Sequence, residues 1–412
     1  MRTLLTSLLS AALVLGALAC GSSEQSGSSS GSSSAASSGA SGTGSGSGSS
    51  GTSSSSGSGS TGSGSSSGSS GTSGETGPIT GLPSEQWTWV PFADSMCRDG
   101  SATGIGVNLN PGSTKLMIFL EGGGACFNSS SCYLNPPSFG QSDFDGLAGR
   151  DLSGTIFDRA DANNPVADWS FVYVPYCTGD VHAGDARDAT VPSVSGTQQF
   201  VGYENMRLFL QRIAPTFPGT SEVLLAGISA GGLGVAANYT QVARAFGSVP
   251  VQMLDDSGPF MEAPYLATCL QQQTRQLWNL DATVLADCGT DCPDGGDFFL
   301  PYARKVMEAY PDATFGLMDS TDDDTMTQFF GFGANDCAPV TFPTPLTATE
   351  FDAGLMDIRN QLSNEPNFGT FYFAGTQHTS LESNFATQAV DAVSMQSWVG
   401  ELVDGGVSHV GP

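Results

Sequence analysis

Six short apolar runs alternate with stretches of helical spacing between residues 115 and 375, and this alternation restricts the chain more than any other feature. The runs are KLMIFLEG (115–122), SFVYVPYC (170–177), EVLLAG (222–227), VPVQMLDDSG (249–258), ATFGLMDS (313–320) and FGTFYFAG (368–375). Each is apolar on consecutive positions, the signature of a strand buried on both faces. Between them GYENMRLFLQRIAP, GGLGVAANYTQVARAFG and LPYARKVMEAYP repeat their apolar residues at helical spacing and stop at Pro or Gly. Strand alternating with helix predicts an α/β fold, a mostly parallel central sheet flanked by helices. In such a sheet functional groups gather at the carboxyl ends of the strands, where the crevice opens.

The first residues do not belong to that body. Arg2 is followed by an uncharged apolar run from Leu4 to Leu18 and then by Ala19 and Cys20. That run is too short for a membrane span and predicts an export signal over residues 1–20. Cys20 directly after Ala-Leu-Ala resembles a bacterial lipoprotein cleavage site, so lipidation at Cys20 is expected, the alternative being a plain secretory signal. Residues 21–81 are almost wholly Ser and Gly, with Glu24 and Glu75 as their charges, and have no apolar surface to offset ordering. They predict a disordered tether. The globular domain is expected over 82–412.

Removing Arg2, Glu24 and Glu75 from the 13 basic and 40 acidic residues leaves a body charge of −26. Such a surface excludes nucleic acid as a partner and repels anionic membranes and polyanionic glycans. Membrane contact is expected only through a lipid anchor. The body holds eight cysteines, Cys97, Cys126, Cys132, Cys177, Cys269, Cys288, Cys292 and Cys337. An even number in an exported chain predicts disulfides, with Cys126 and Cys132, and Cys288 and Cys292, close enough for local loops. No second ligand pair accompanies Cys288, so neither a metal nor another cofactor is expected.

The motif GISAGG follows the run EVLLA and precedes an Ala- and Gly-rich helix. Its G-x-S-x-G pattern alone is uninformative, because the tail repeats it at Gly27 to Gly31 and Gly64 to Gly68. Only the copy at Ser229 has a strand before it and a helix after it, the context in which a tight turn lifts a serine clear of the chain as a nucleophile. An acyl-transfer serine needs amides for the oxyanion, and Ala230 supplies one. The glycine loop LEGGGACF (120–127) offers Gly123 and Gly124 as the others. The base is expected at His378, which follows the last run and comes after the serine; His182 is read as a pocket-wall or structural histidine and His409 as exposed. The orienting acid must lie between, and Asp319, Asp322, Asp323 and Asp324 are the candidates.

LEGGGACFN, VPYCTGDVHAG, GISAGG, DDSG and GTQH, in this order, resemble the pectin acetylesterase and Notum family over about residues 87–403. The resemblance implies an α/β-hydrolase fold and metal-independent ester hydrolysis by Ser229, His378 and an aspartate, with Gly123, Gly124 and Ala230 as oxyanion donors. The family's acid has an apolar residue two positions on, which selects Asp324 with Met326; Asp323, with Thr325, is the second choice. Many relatives carry Trp where this chain has Gly124, so the wall that a tryptophan would supply is missing. The expected function is a serine carboxylic ester hydrolase, monomeric and exported, as an outer-membrane or cell-surface lipoprotein or free outside the cell. Its expected substrate is an acylated glycan or another acyl ester. The competing expectations are another secreted serine hydrolase, such as a polyester depolymerase or peptidase, and a non-catalytic surface binding protein on the same fold.

Overall fold

The buried strands do form one sheet. In the computed structural model, residues 76–412 are described except 287, 289–291 and 293–295. The expected export signal, Cys20 and nearly all of the expected tether lie outside them. Among the described residues the strands are β1 (Trp87–Phe92), β2 (Thr103–Asn108), β3 (Lys115–Leu120), β4 (Ser170–Val174), β5 (Ala186–Ala189), β6 (Gln198–Phe200), β7 (Glu222–Ile228), β8 (Val251–Asp256), β9 (Phe315–Ser320), β10 (Phe368–Phe373), β11 (Ala389–Val390), β12 (Val393–Ser394) and β13 (His409–Val410). Nine of them make one sheet in the order β1-β2-β4-β3-β7-β8-β9-β10-β13, while β5 with β6 and β11 with β12 are separate ribbons. All pairs from β4 onward to β13 are parallel, and only β1 with β2 and β2 with β4 run antiparallel.

Period two explains why the central strands read as unbroken apolar runs. Leu116, Ile118 and Leu120 face one core with Leu225 and Leu317, whereas Met117 and Phe119 face a second with Leu224, Ala226 and Met318. Both faces are covered, so most positions are apolar, and the buried Asp255, Asp256, Asp319 and Ser320 fall at the carboxyl ends of β8 and β9. The expected helices occupy Gly202–Thr216, Ala230–Phe246 and Phe299–Ala309. The antiparallel edge β1 and β2 was not expected. The body also starts earlier than residue 82, since Ile79 is buried and its amide donates to Thr216 Oγ1 at 2.7 Å.

The eight cysteines pair as Cys97–Cys177, Cys126–Cys132, Cys269–Cys337 and Cys288–Cys292. Four disulfides agree with folding in an oxidising compartment outside the cytosol.

Candidate active site

Strand β7 runs into Ser229 and the chain leaves it as the helix Ala230–Phe246. Ser229 has φ 55° and ψ −120°, a conformation rarely adopted by a residue with a Cβ. Neighbouring contacts impose it. The Ser229 amide donates to Asp256 O at 2.7 Å, at the end of the adjacent strand β8. A Cβ at Gly231 would lie 2.1 Å from Leu120 O, and one at Gly227 would lie 2.3 Å from Gly231 O. These two glycines let the turn close against β3, which is why the motif needs them.

The glycine loop after β3 lies against this turn, since a Cβ at Gly122 would meet the Ser229 Cβ at 2.8 Å. Gly123 and Gly124 have φ of 152° and 76°. Among the described residues their amides donate to no protein acceptor, and Ala230 is the first residue of its helix, where amides lack an intrahelical partner. Gly124 and Ala230 line the same cavity as Ser229, and Gly123 precedes Gly124 in the loop. The loop is held from behind by residues that the sequence did not single out. Asn135 Nδ2 donates to Gly123 O at 2.9 Å, and buried Arg98 donates to Asn135 Oδ1 at 2.9 Å and to Asn135 O at 2.7 Å. The disulfide Cys126–Cys132 joins the same two segments.

His182 is buried behind the glycine loop. It is 3% exposed, its Nε2 is 2.9 Å from Glu121 O, and its ring packs on Tyr176 at 4.7 Å between centroids. Burial drives the imidazole down to about 4, so the neutral ring donates to Glu121 and fixes the start of the glycine loop. The unfolded chain takes up this proton near pH 6.5, so stability is full above that pH and is lost as pH falls toward 4. Between pH 7 and pH 5 the loss is about 2 kcal/mol. His182→Gln, whose amide can still donate, is expected to narrow the Tm difference between pH 7 and pH 5. An unchanged difference would exclude His182 as a source of acid sensitivity.

His378 lies beyond β10, and its Nδ1 is 2.6 Å from Asp323 Oδ2. Asp323 is fully buried, and its Oδ1 accepts the amides of Thr325 and Met326, both at 2.7 Å. Asp324, the first choice, is exposed and only its amide is engaged, donating to Thr376 O at 3.3 Å. The acid facing His378 is thus Asp323. The correction has a simple cause: Asp323 opens the turn into the helix Met326–Gly331 with its carboxylate inward, and the next residue along must point out. Asp319 is buried at the end of β9 beside Asp323, and Asp322 is half-buried.

One residue joins the serine turn to the histidine loop. Asp256 receives the Ser229 amide on its carbonyl, and its Oδ2 accepts the amides of Ser380 and Leu381 at 2.7 and 2.8 Å. Ser257 Oγ adds an acceptor for the Thr379 amide at 3.1 Å. The DDSG motif therefore anchors both partners at the same sheet edge. Among the described residues no hydrogen bond joins Ser229 Oγ to His378; with Nδ1 on Asp323, Nε2 is the nitrogen left to take a serine proton. Burial pushes Asp256 up to about 6 and Glu382 to about 7, and holds Asp255 and Asp319 well above the usual carboxylate range. Protons on Asp255 and Asp319 limit the negative charge beside the site at neutral pH.

Ser229 opens into a cavity of about 70 Å³ whose walls include Phe127, Leu233, Leu266, Met326 and Phe329. Phe329 stands over Gly124, where a Cβ would lie 3.0 Å from its Cζ. The aromatic wall expected to be missing at Gly124 is supplied from the helix Met326–Gly331. His409 is remote from these groups, on β13 with Nδ1 3.0 Å from Thr370 Oγ1.

A family model described as Pectinacetylesterase matches residues 86–294. The chain is 31% identical over 178 residues to the palmitoleoyl-protein carboxylesterase NOTUM of Mus musculus, covering 40% of this chain and 34% of that protein. It is 32% identical over 178 residues to the palmitoleoyl-protein carboxylesterase notum2 of Xenopus laevis, covering 40% and 35%. The chain thus spans about a third of the length of the curated relatives it matches. The solved structure of the Wnt deacylase Notum from Drosophila, crystal form II, superposes with a TM-score of 0.54 over 77% of this chain and 93% of that one, at 22% identity. That likeness is one of fold.

Proposed function

Because the chain belongs to the pectinacetylesterase family, with its family model matched over residues 86–294, we propose that it is a serine carboxylic ester hydrolase acting through Ser229, His378 and Asp323. The observation that supports this most directly is the 2.6 Å contact of His378 Nδ1 with buried Asp323, on the sheet edge that also carries the strained Ser229. Asp323 holds the imidazole with its proton on Nδ1, so Nε2 is basic. Nε2 takes the proton of Ser229 as Oγ attacks the ester carbonyl. The amides of Gly123, Gly124 and Ala230 receive the oxyanion. The same proton then passes to the departing alcohol, and water, deprotonated by His378, releases the acid and restores Ser229.

The acyl group extends beyond acetyl. A water-sized body occupies about 10–15 Å³ of such a cavity, so 70 Å³ takes roughly five to seven of them in a lining that is nearly all apolar. An acetyl group would leave most of that volume empty. A body of charge −26 also repels pectin, a polyanion, so an apolar acyl ester on a neutral or protein carrier fits both observations. The names of the relatives, carboxylesterases of palmitoleoyl-protein, agree with an apolar acyl group. Export on a tether with Cys20 as a lipid anchor completes the proposal. Purified protein is expected to hydrolyse nitrophenyl esters faster as the acyl chain grows from acetyl to octanoyl, at about fourfold in kcat/KM per buried methylene. It is expected to release little acetate from acetylated pectin. Turnover confined to acetyl esters, with pectin preferred, would overturn the acyl assignment.

A further inference from the structure

A second apolar void of about 20 Å³ lies behind the first. Val181, Leu233 and Phe299 line both cavities, so a wall one side chain thick separates them. The second void is also lined by residues absent from the first, among them Ala236, Phe298 and Tyr302. Neither lining offers a charged group that an apolar chain would have to desolvate. Leu233 and Phe299 are only partly buried.

Resting on the reading of Ser229 as an acyl-transfer nucleophile, we propose that the two voids form one two-chamber acyl site in which Phe299 is the movable partition that sets the longest chain accepted. Phe299 is the first residue of the helix Phe299–Ala309. No helical turn precedes it, so its χ1 escapes the clash with a preceding turn that confines aromatic side chains deeper in a helix, and a swing has to break its stacking on Phe298, at 4.5 Å between ring centroids. Val181, held at φ 51°, and Leu233, one turn into the helix that begins at Ala230, lack that freedom. Swinging the Phe299 ring joins the chambers and adds room for roughly one or two water-sized bodies, which corresponds to about one or two methylenes. Chains that end in the first chamber are indifferent to the second, and longer chains require it.

The test is the kcat/KM of nitrophenyl esters from butanoyl to hexadecanoyl for three proteins. Phe299→Ala removes the partition and is expected to move the optimum to a chain at least two carbons longer than in the wild type. Ala236→Leu fills the second void and is expected to lower the dodecanoyl to butanoyl ratio by about tenfold or more, some fourfold for each methylene excluded. If Ala236→Leu fails to fold, judged by circular dichroism, the Phe299→Ala profile decides alone. Identical length profiles in the wild type and in the folded variants would overturn the two-chamber site while Ser229-dependent turnover persisted. Absence of ester turnover by the wild type would instead overturn the hydrolase reading on which the site rests.

Discussion

Asp323→Asn is expected to lower kcat by about four orders of magnitude, the loss measured when the equivalent aspartate of a serine protease triad is made an asparagine. The neighbouring change Asp324→Asn is expected to leave kcat within about twofold, as a surface substitution of under 0.5 kcal/mol should. Asp323 Oδ2 sits 2.6 Å from His378 Nδ1 and can only accept there. An asparagine amide can turn its N–H toward Nδ1, which forces the ring proton onto Nε2. A protonated Nε2 cannot take the proton of Ser229. The fold should survive, because the oxygen that Asp323 presents to the amides of Thr325 and Met326 has a counterpart in asparagine. Steady-state kinetics on both variants, with circular dichroism as a control, decides the matter. Activity lost in Asp324→Asn and kept in Asp323→Asn would restore the choice that the family resemblance implied.

That one-residue error shows what a linear sequence can and cannot carry. The serine turn was legible because its chemistry is also a steric demand: Gly227 and Gly231 stand where a Cβ would collide with Gly231 O and Leu120 O. The meeting of His378 with the aspartate cluster was legible because strand order leaves few places for a histidine after Ser229. Asp319, Asp322, Asp323 and Asp324 lie within six residues and are interchangeable by type. Only the turn into the following helix decides which faces inward, and the exposure of Asp324 against the full burial of Asp323 is a product of folding. The bridging role of Asp256, within the DDSG motif, was invisible for a similar reason. Its partners Ser380 and Leu381 are 124 and 125 positions away, and their amides carry no sequence signal. The hydrogen bonds from Arg98 to Asn135 and from Asn135 to Gly123 also join segments that local pattern cannot relate. Phe329 belongs with these, since a ring replacing the missing tryptophan wall comes from a helix some 200 residues further along the chain. The antiparallel strands β1 and β2 escaped because Trp87–Phe92 and Thr103–Asn108 mix Trp, Pro and Gly with aliphatics and lack the unbroken apolar runs of the central strands.

Ser229→Ala should lower kcat by about six orders of magnitude, the scale seen when a triad serine is removed from a protease, with a small remainder due to the oxyanion amides and binding. Stability should hardly change, because alanine carries the same Cβ into the same backbone strain. Ser229→Gly separates the two effects. Glycine adopts φ 55° and ψ −120° without the Cβ penalty, which relieves about 1–3 kcal/mol, against about 0.5–1 kcal/mol of added chain entropy in the unfolded state. The glycine variant should therefore be inactive and yet more stable than the wild type by about 1 kcal/mol. Such a pairing marks a residue kept strained for chemistry, since a serine serving only the turn would cost stability when replaced. Thermal melts and ester kinetics on the two variants read both quantities. If Ser229→Ala retains wild-type turnover, Ser229 is not the nucleophile; if Ser229→Gly melts lower than the wild type, the turn at 229 holds no strain for glycine to relieve.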